Sequence, residues 1–179
     1  MPTVLSIKIK VLVVMVTVFN MSFAFAQQVT ISGKVTASTC QVNNGKASIS
    51  ITLPQLSVSA LSFVGATAGA TPFEFSYANC TPGIVSVTPY FEPNSMTSPS
   101  GRVKQFPYIL SPMKNVELQI KNSDGTIVDL SKSFGQQKVN SSGLVSNSGS
   151  QRFIAEYYAT GVVQPGRFYA YLRYSLVYQ

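Results

Sequence analysis

Apolar and polar residues alternate strictly along the last thirteen residues of the chain, 167–179. Every second residue from Phe168 onward is apolar, and the residues between them, which include Arg167, Arg173 and Ser175, are more polar. This alternation predicts one long β-strand with a single buried face, about 40 Å in length. Since no further segment follows it in the sequence, we expect an exposed outer edge, and such an edge indicates an interface. The apolar row consists of Phe168, Ala170, Leu172, Tyr174, Leu176 and Tyr178.

Shorter stretches with the same alternation recur along the chain, and no stretch has the pattern of a helix. Gly-, Pro- and Asn-rich turns separate them, and Asp124-Gly125 between two apolar runs is a hairpin signal. Short strands at this spacing predict an all-β sandwich or barrel in one domain. The predicted strands are 29–37, 47–53, 73–77, 84–91, 108–110, 116–120, 126–130 and 153–159.

The first 26 residues have the pattern of a secretory signal peptide. Lys8 and Lys10 precede an apolar run at 11–18, and Ala24-Phe25-Ala26 provides a cleavage site before Gln27. The apolar run is too short to span a bilayer. We therefore expect an exported domain that begins at Gln27.

Charge and composition exclude several classes of function. The chain has 13 Lys and Arg against 6 Asp and Glu, and its cations are scattered, whereas a nucleic-acid site needs a cluster. Histidine is absent, which excludes the common nucleophile–histidine pairs. A pair of carboxylates for hydrolysis would have to come from only six acidic residues. We expect no enzyme, metal or cofactor. The acids are Glu74, Glu92, Glu117, Asp124, Asp129 and Glu156.

Both cysteines of the chain, Cys40 and Cys80, lie after the predicted cleavage site. An even pair in an oxidising compartment predicts one disulfide. The pair is too far apart for a C-x-x-C redox motif, and a zinc site would need more ligands.

The two ends of the predicted domain are complementary in pattern. Residues 27–39 alternate, and Gly33 leaves one inward position without a side chain. An extended peptide from another chain can add to a free sheet edge, and a glycine allows close backbone approach. The periodicity alone leaves open whether both ends are ordinary strands of one closed sandwich.

Several short motifs together resemble the pilin subunits of chaperone–usher fimbriae, such as type 1 and P pili. Gly33 stands seven residues before Cys40, within VTISGKVTASTC, and the cysteines are 40 apart. Leu53-Pro54 and Thr71-Pro72-Phe73 lie between the cysteines, and the run AEYYA at 155–159 precedes the last segment. Gly166 lies thirteen residues before the last residue, and Tyr178 is penultimate.

The resemblance implies an incomplete immunoglobulin-like β-sandwich that lacks its final strand and is completed by donor-strand exchange. It implies a signal peptide at 1–26, a donor extension at 27–39 and a pilin domain at 40–179. Val29, Ile31, Gly33 and Val35 would be the donor residues. The groove edge, which also binds the chaperone, would be Gly166, Phe168, Ala170, Leu172, Tyr174, Leu176, Tyr178 and Gln179, with Gln179 supplying an anchored carboxylate.

The implied partners are a periplasmic chaperone, an outer-membrane usher and neighbouring pilins of the same or another kind, with a host receptor as a further partner. The expected function is a structural subunit of an adhesive fimbria on the cell surface, reached through the periplasm. A single-domain tip adhesin for a host glycan or protein is the alternative, and a secreted hydrolase is a third. Only Gln27 and Gln28 precede Val29, which resembles minor subunits, and the choice between major and minor stays open.

Overall fold

Two antiparallel sheets make up the computed structural model, which describes residues 39–46 and 48–179. Sheet A has the strand order β1-β2-β6-β4, and sheet B has the order β5-β3-β7. Within the described part of the chain, the helices are two short 3₁₀ turns at Asn43–Gly45 and Val58–Leu61, and none could cross a membrane. The strands are β1 (Gln41–Val42), β2 (Thr67–Ala78), β3 (Ser86–Glu92), β4 (Lys114–Asn122), β5 (Ser142–Gly143), β6 (Gly149–Gln164) and β7 (Arg173–Tyr178).

The long strand β6 is the centre of sheet A because it pairs with β2 on one edge and with β4 on the other. Its period-two pattern buries Phe153, Ala155 and Ala159 completely. The small alanines in this row leave room for the aromatic side chains of the facing sheet. The predicted strands 73–77, 116–120 and 153–159 are confirmed, and each is longer than predicted.

Aromatic rings fill the space between the sheets. Phe75 of β2 and Phe153 of β6 meet Phe91 of β3, with ring centroids 5.4–6.3 Å apart in edge-to-face or tilted geometries. Tyr174 of β7 adds a fourth ring, 4.8 Å from Phe75. The predicted sandwich, rather than a barrel, is therefore the observed arrangement.

Strand β3 receives part of its pairing from a side chain. β5 pairs only with Ser86 and Val87, and Pro89 has no N–H to offer on the strand. Beyond it, the amide of Gln137 replaces a strand: its Oε1 accepts from Phe91 N at 3.1 Å, and its Nε2 donates to Phe91 O at 2.6 Å. Gln137 is only 2% exposed, so these two hydrogen bonds lie inside the protein.

The predicted disulfide is confirmed, with an S–S distance of 2.05 Å between Cys40 and Cys80. It ties the residue before β1 to the chain just after β2. Thr39 O accepts a hydrogen bond from Thr81 N at 2.9 Å, which continues the same contact. The covalent link holds the start of the described chain on sheet A.

The prediction of one strand over 167–179 is wrong in extent, because only Arg173–Tyr178 forms β7. Its partner β3 ends at Glu92, opposite Arg173, so the ladder has nothing further to pair with. Residues 167–172 stay extended but bond to a different segment, through Phe106 N to Tyr169 O and Arg167 N to Ser111 O. Exposed and half-buried side chains alternate from residue 167 to residue 173, and residues 174–178 are then all half-buried.

Three other predicted strands are absent or reduced. Residues 108–110 form a bend between Pro107 and Pro112, neither of which can donate to a ladder. Residues 126–130 keep the predicted turn at Asp124-Gly125 but make one bridge, between Lys121 and Ile127. Residues 48–53 have no ladder partner among the described residues. The predicted strand at 29–37 and the predicted signal peptide lie outside the described residues.

Replacing Gln137 by leucine tests its role in β3. The variant Gln137→Leu leaves the N–H and C=O of Phe91 buried without partners, at about 1–3 kcal/mol each. We expect the free energy of unfolding to fall by roughly 2–6 kcal/mol. Urea unfolding followed by tyrosine fluorescence measures it, and the neighbouring exposed Gln136→Leu should change stability by less than about 0.5 kcal/mol. Equal effects of the two variants would contradict the assignment.

Candidate strand-accepting groove

Among the described residues, strand β7 is paired on one edge only. β3 pairs with it from Val87 to Glu92, and no described strand pairs with its other edge. Main-chain N–H and C=O groups in a strand alternate between the two edges. Half of the hydrogen-bonding groups of β7 therefore face the side where the described chain places no strand.

The inward row of the C-terminal segment is packed on the core from one side. Ala170, Leu172, Tyr174, Leu176 and Tyr178 contact the main aromatic cluster, and Phe168 contacts a second cluster around Tyr157. All six are half-buried, as is Phe73 of β2, whereas Phe75 and Tyr77 of β2 and Phe153 and Ala155 of β6 are fully buried. The structure thus places the predicted groove-edge residues in one row with incomplete cover.

The opposite wall of this groove is the segment 48–53. Ile49, Ile51 and Leu53 are half-buried, and the residues between them are exposed. Ile49 packs on the same cluster as β7, and Leu53 packs on the same cluster as Phe168. The two segments therefore contact the same two apolar clusters, and Leu53 and Phe168 line one cavity. We refer to the surface between the two segments as the groove.

A cavity of about 700 Å³ opens at the Phe168 end of the groove. The Phe168 ring lies edge-on to Tyr157, with centroids 5.8 Å apart. The remaining apolar walls come from residues distant in sequence, which is why the alternation of the last segment did not identify them. Its apolar lining includes Leu53, Leu61, Met113, Tyr157, Val163 and Phe168.

Gly166 sits where two backbones cross at this cavity. A Cβ atom built on it would lie 2.4 Å from Met113 N and 2.6 Å from Pro112 O. Any larger residue would push the crossing segment away, and Met113 N would lose its 2.9 Å hydrogen bond to Arg167 O. Glycine here lets the C-terminal segment start close to the cavity.

Three tyrosines, Tyr77, Tyr174 and Tyr178, lie near one another below the C-terminal half of β7. Tyr77 of β2 is 1% exposed, and its hydroxyl has no hydrogen-bond partner among the described residues. Burial raises the pKa of Tyr77, and the nearby phenols of Tyr174 and Tyr178 raise it further. Burial and Tyr178 likewise raise the pKa of Tyr174. Tyr77 therefore stays protonated as a buried O–H donor at neutral pH.

Gln179 closes this end. Its main-chain oxygen accepts hydrogen bonds from Val85 N at 2.6 Å and Ser86 N at 2.9 Å, and its N–H donates to Ser86 O. The last residue is therefore fixed against β3. The family resemblance implied an anchoring role for Gln179, and the sequence gave no sign of these intramolecular partners.

Two of the acids on sheet A, Glu74 and Glu156, have structural partners. Glu74 accepts from Arg152 Nε at 2.9 Å, and hydrogen bonds from Ser150 and Arg152 lower the pKa of its carboxyl group. Glu156 contacts Lys121 Nζ at 2.6 Å and accepts from Gln119 Nε2 at 2.9 Å. Over residues 39–46 and 48–179, no group of three or more possible metal ligands is found.

The four predicted donor residues Val29, Ile31, Gly33 and Val35 lie outside the described residues. The predicted groove-edge residues are brought together, and Gly166 and Gln179 lie at the two ends of the segment that carries the half-buried row. Sequence reasoning missed the cavity and the buried Tyr77 hydroxyl. It treated residues 47–53 as one more strand, although their alternation was the signal for the second wall.

Comparison with known proteins agrees with this architecture. Residues 29–179 match the family model described as "Fimbrial protein". The chain is 30% identical over 164 residues to the F17 fimbrial protein of Escherichia coli, covering 88% of this chain and 90% of the relative. It is 32% identical over 156 residues to the major fimbrial subunit SMF-1 of Stenotrophomonas maltophilia (strain K279a), covering 84% and 90%.

The fold resembles that of the P pilus rod subunit PapA, with a TM-score of 0.58 at 18% identity over 78% of this chain and 99% of that chain. This likeness supports an immunoglobulin-like sandwich. The family match and the two curated relatives support a subunit of a surface fimbria over the tip-adhesin alternative. The chain therefore belongs to the fimbrial protein family and is a structural subunit of a fimbria.

Proposed function

We propose that the groove binds residues 27–39 of a neighbouring fimbrial subunit and that the fibre grows by repetition of this contact. The observation that carries the proposal is the half-buried row of β7 next to a strand edge that no described strand pairs with. An added strand would bond to that edge and cover the row in one step. In this proposal the fold of each subunit is completed by its neighbour.

The donor residues would present an alternating apolar row to the groove. Val29, Ile31 and Val35 recur at period two, and a fully buried aliphatic side chain of this size contributes roughly 1.5–3 kcal/mol. Gly33 lies in the same row and lets the donor backbone approach a shallow part of the groove. The cavity beside Phe168 offers room for a side chain at one end.

On this proposal the open groove needs protection before assembly. A half-covered apolar row with a free edge is prone to aggregation. A periplasmic chaperone would lend a strand to the C-terminal segment and grip Gln179, and an outer-membrane usher would exchange that strand for the next subunit. The chain would have no catalytic role, and a host receptor, where one exists, would meet the assembled fibre.

A peptide of residues 27–39 should stabilise the refolded subunit. Ligands that bind only the folded state raise the melting temperature, and burying several aliphatic side chains should raise it by about 10 °C. Circular dichroism during heating gives the measurement. A control peptide with Val29→Ser and Ile31→Ser should have little effect. No shift with the native peptide would contradict the donor-strand proposal.

The variant Gly33→Leu should stop polymerisation, because the added side chain prevents close approach of the donor backbone. The neighbouring Lys34→Leu is the matched control, since position 34 lies in the outward row and tolerates the same side chain. Multimers in unheated denaturing gels report assembly. Normal ladders from Gly33→Leu, or loss of ladders in both variants, would count against the assignment of the donor row.

Co-expression with a periplasmic fimbrial chaperone tests the assembly route. We expect a one-to-one complex, and we expect Leu176→Asp to abolish it, since a charge in the half-buried row opposes strand addition. Val162→Asp is the control, because Val162 is 85% exposed on β6. If both variants still form the complex, the chaperone binds a different part of the subunit.

A further inference from the structure

Two methionines, Met96 and Met113, follow the predicted cleavage site, and they lie in different environments. Met96 is 4% exposed and belongs to the main core cluster. Met113 is half-buried and lines the cavity beside Phe168. Since Cys40 and Cys80 are bonded to each other, these methionines carry the unbonded sulfur atoms of the chain after residue 26. Met113 is the more exposed of the two.

Backbone contacts and packing hold Met113 at the cavity. Its N–H donates to Arg167 O at 2.9 Å, at the crossing that Gly166 permits. Its side chain packs against the cluster around Tyr157, which Phe168 also contacts. A segment that enters the groove and covers Phe168 would therefore cover Met113 as well.

Oxidation would change the chemistry of this side chain. Hydrogen peroxide converts a thioether to a sulfoxide: the sulfur loses two electrons and gains one oxygen atom, and the peroxide is reduced to water. The sulfoxide turns a flexible apolar side chain into a polar one. Water can solvate its oxygen while the groove is open. A strand lying over the cavity would displace that water, and a buried polar group without a partner opposes binding.

We propose that Met113 is an oxidation site that controls filling of the groove. Its sulfoxide weakens binding of the donor segment, and a bound donor segment shields its thioether from peroxide. Peroxide therefore acts on subunits whose groove is open and spares those whose groove is filled. Methionine sulfoxide reductases regenerate the thioether, so the effect is reversible. This inference rests on the proposed donor-strand function.

Mass spectrometry of the peroxide-treated, refolded chain identifies the site. We expect the sulfoxide to form at Met113 about tenfold faster than at Met96, because oxidation follows exposure. The peptide of residues 27–39, which contains no methionine, should slow oxidation of Met113 when it is present in excess. Equal rates at the two methionines, or no protection by a peptide that binds, would overturn the proposal.

Peptide titration measures the effect on binding. The chain oxidised at Met113 should bind the peptide of residues 27–39 about tenfold more weakly than the untreated chain, and reductase treatment should restore the affinity. The variant Met113→Leu should bind normally and be insensitive to peroxide, because leucine keeps a similar volume without sulfur. Met96→Leu is the matched control, and its binding should stay as sensitive to peroxide as that of the wild type.

The outcomes separate this inference from the proposed function. Failure of the peptide to bind the untreated chain would overturn the donor-strand function itself. The cavity is also lined by Gln55, Ser57 and Arg167, which could offer polar partners to a sulfoxide. Unchanged affinity after complete oxidation of Met113 would show that such partners satisfy it and would overturn the oxidation proposal alone. A loss of affinity in peroxide-treated Met113→Leu would overturn it too, by locating the sensitive group elsewhere.

Discussion

The pairing of β3 with β7 holds the last segment of the chain against an aromatic core, and it does so from one side only. Phe75, Phe91 and Phe153 are fully buried, while Tyr174, which packs on Phe75, is half-buried. The core side chains of sheet A are therefore fully buried at these positions, whereas those of β7 in sheet B are only half-buried. The groove lies on the side of β7 where no strand of the described residues pairs with it.

The remaining structure keeps the open edge well defined. The Cys40–Cys80 disulfide fixes the start of the described chain, and Gln137 supplies hydrogen bonds where β5 ends. Gly166 permits the crossing that begins the C-terminal segment, and Gln179 is held on β3. These contacts fix both ends of the C-terminal segment, and the proposed donor-strand contact would depend on them.

Much of the candidate site could be predicted from alternation. The row from Phe168 to Tyr178 and the disulfide were both identified, because period two and the export context are local properties of the sequence. The length of β7 was not predicted correctly, because the hydrogen bonds of a strand end where its partner strand ends. Residues 108–110 were mistaken for a strand because three apolar residues carry no periodic signal strong enough to outweigh Pro107 and Pro112.

The sequence by itself determined the fold class, the disulfide and which face of the last segment turns inward. These follow from side-chain direction in an extended chain and from the pairing of two cysteines. Only the tertiary structure decided that residues 48–53 form a second wall and that the cavity lies beside Phe168. It also decided that Gln137 acts as a piece of strand and that the Tyr77 hydroxyl lacks a partner. The physical reason is that hydrogen-bond partners and cavities arise between segments far apart in sequence, where no local pattern records them.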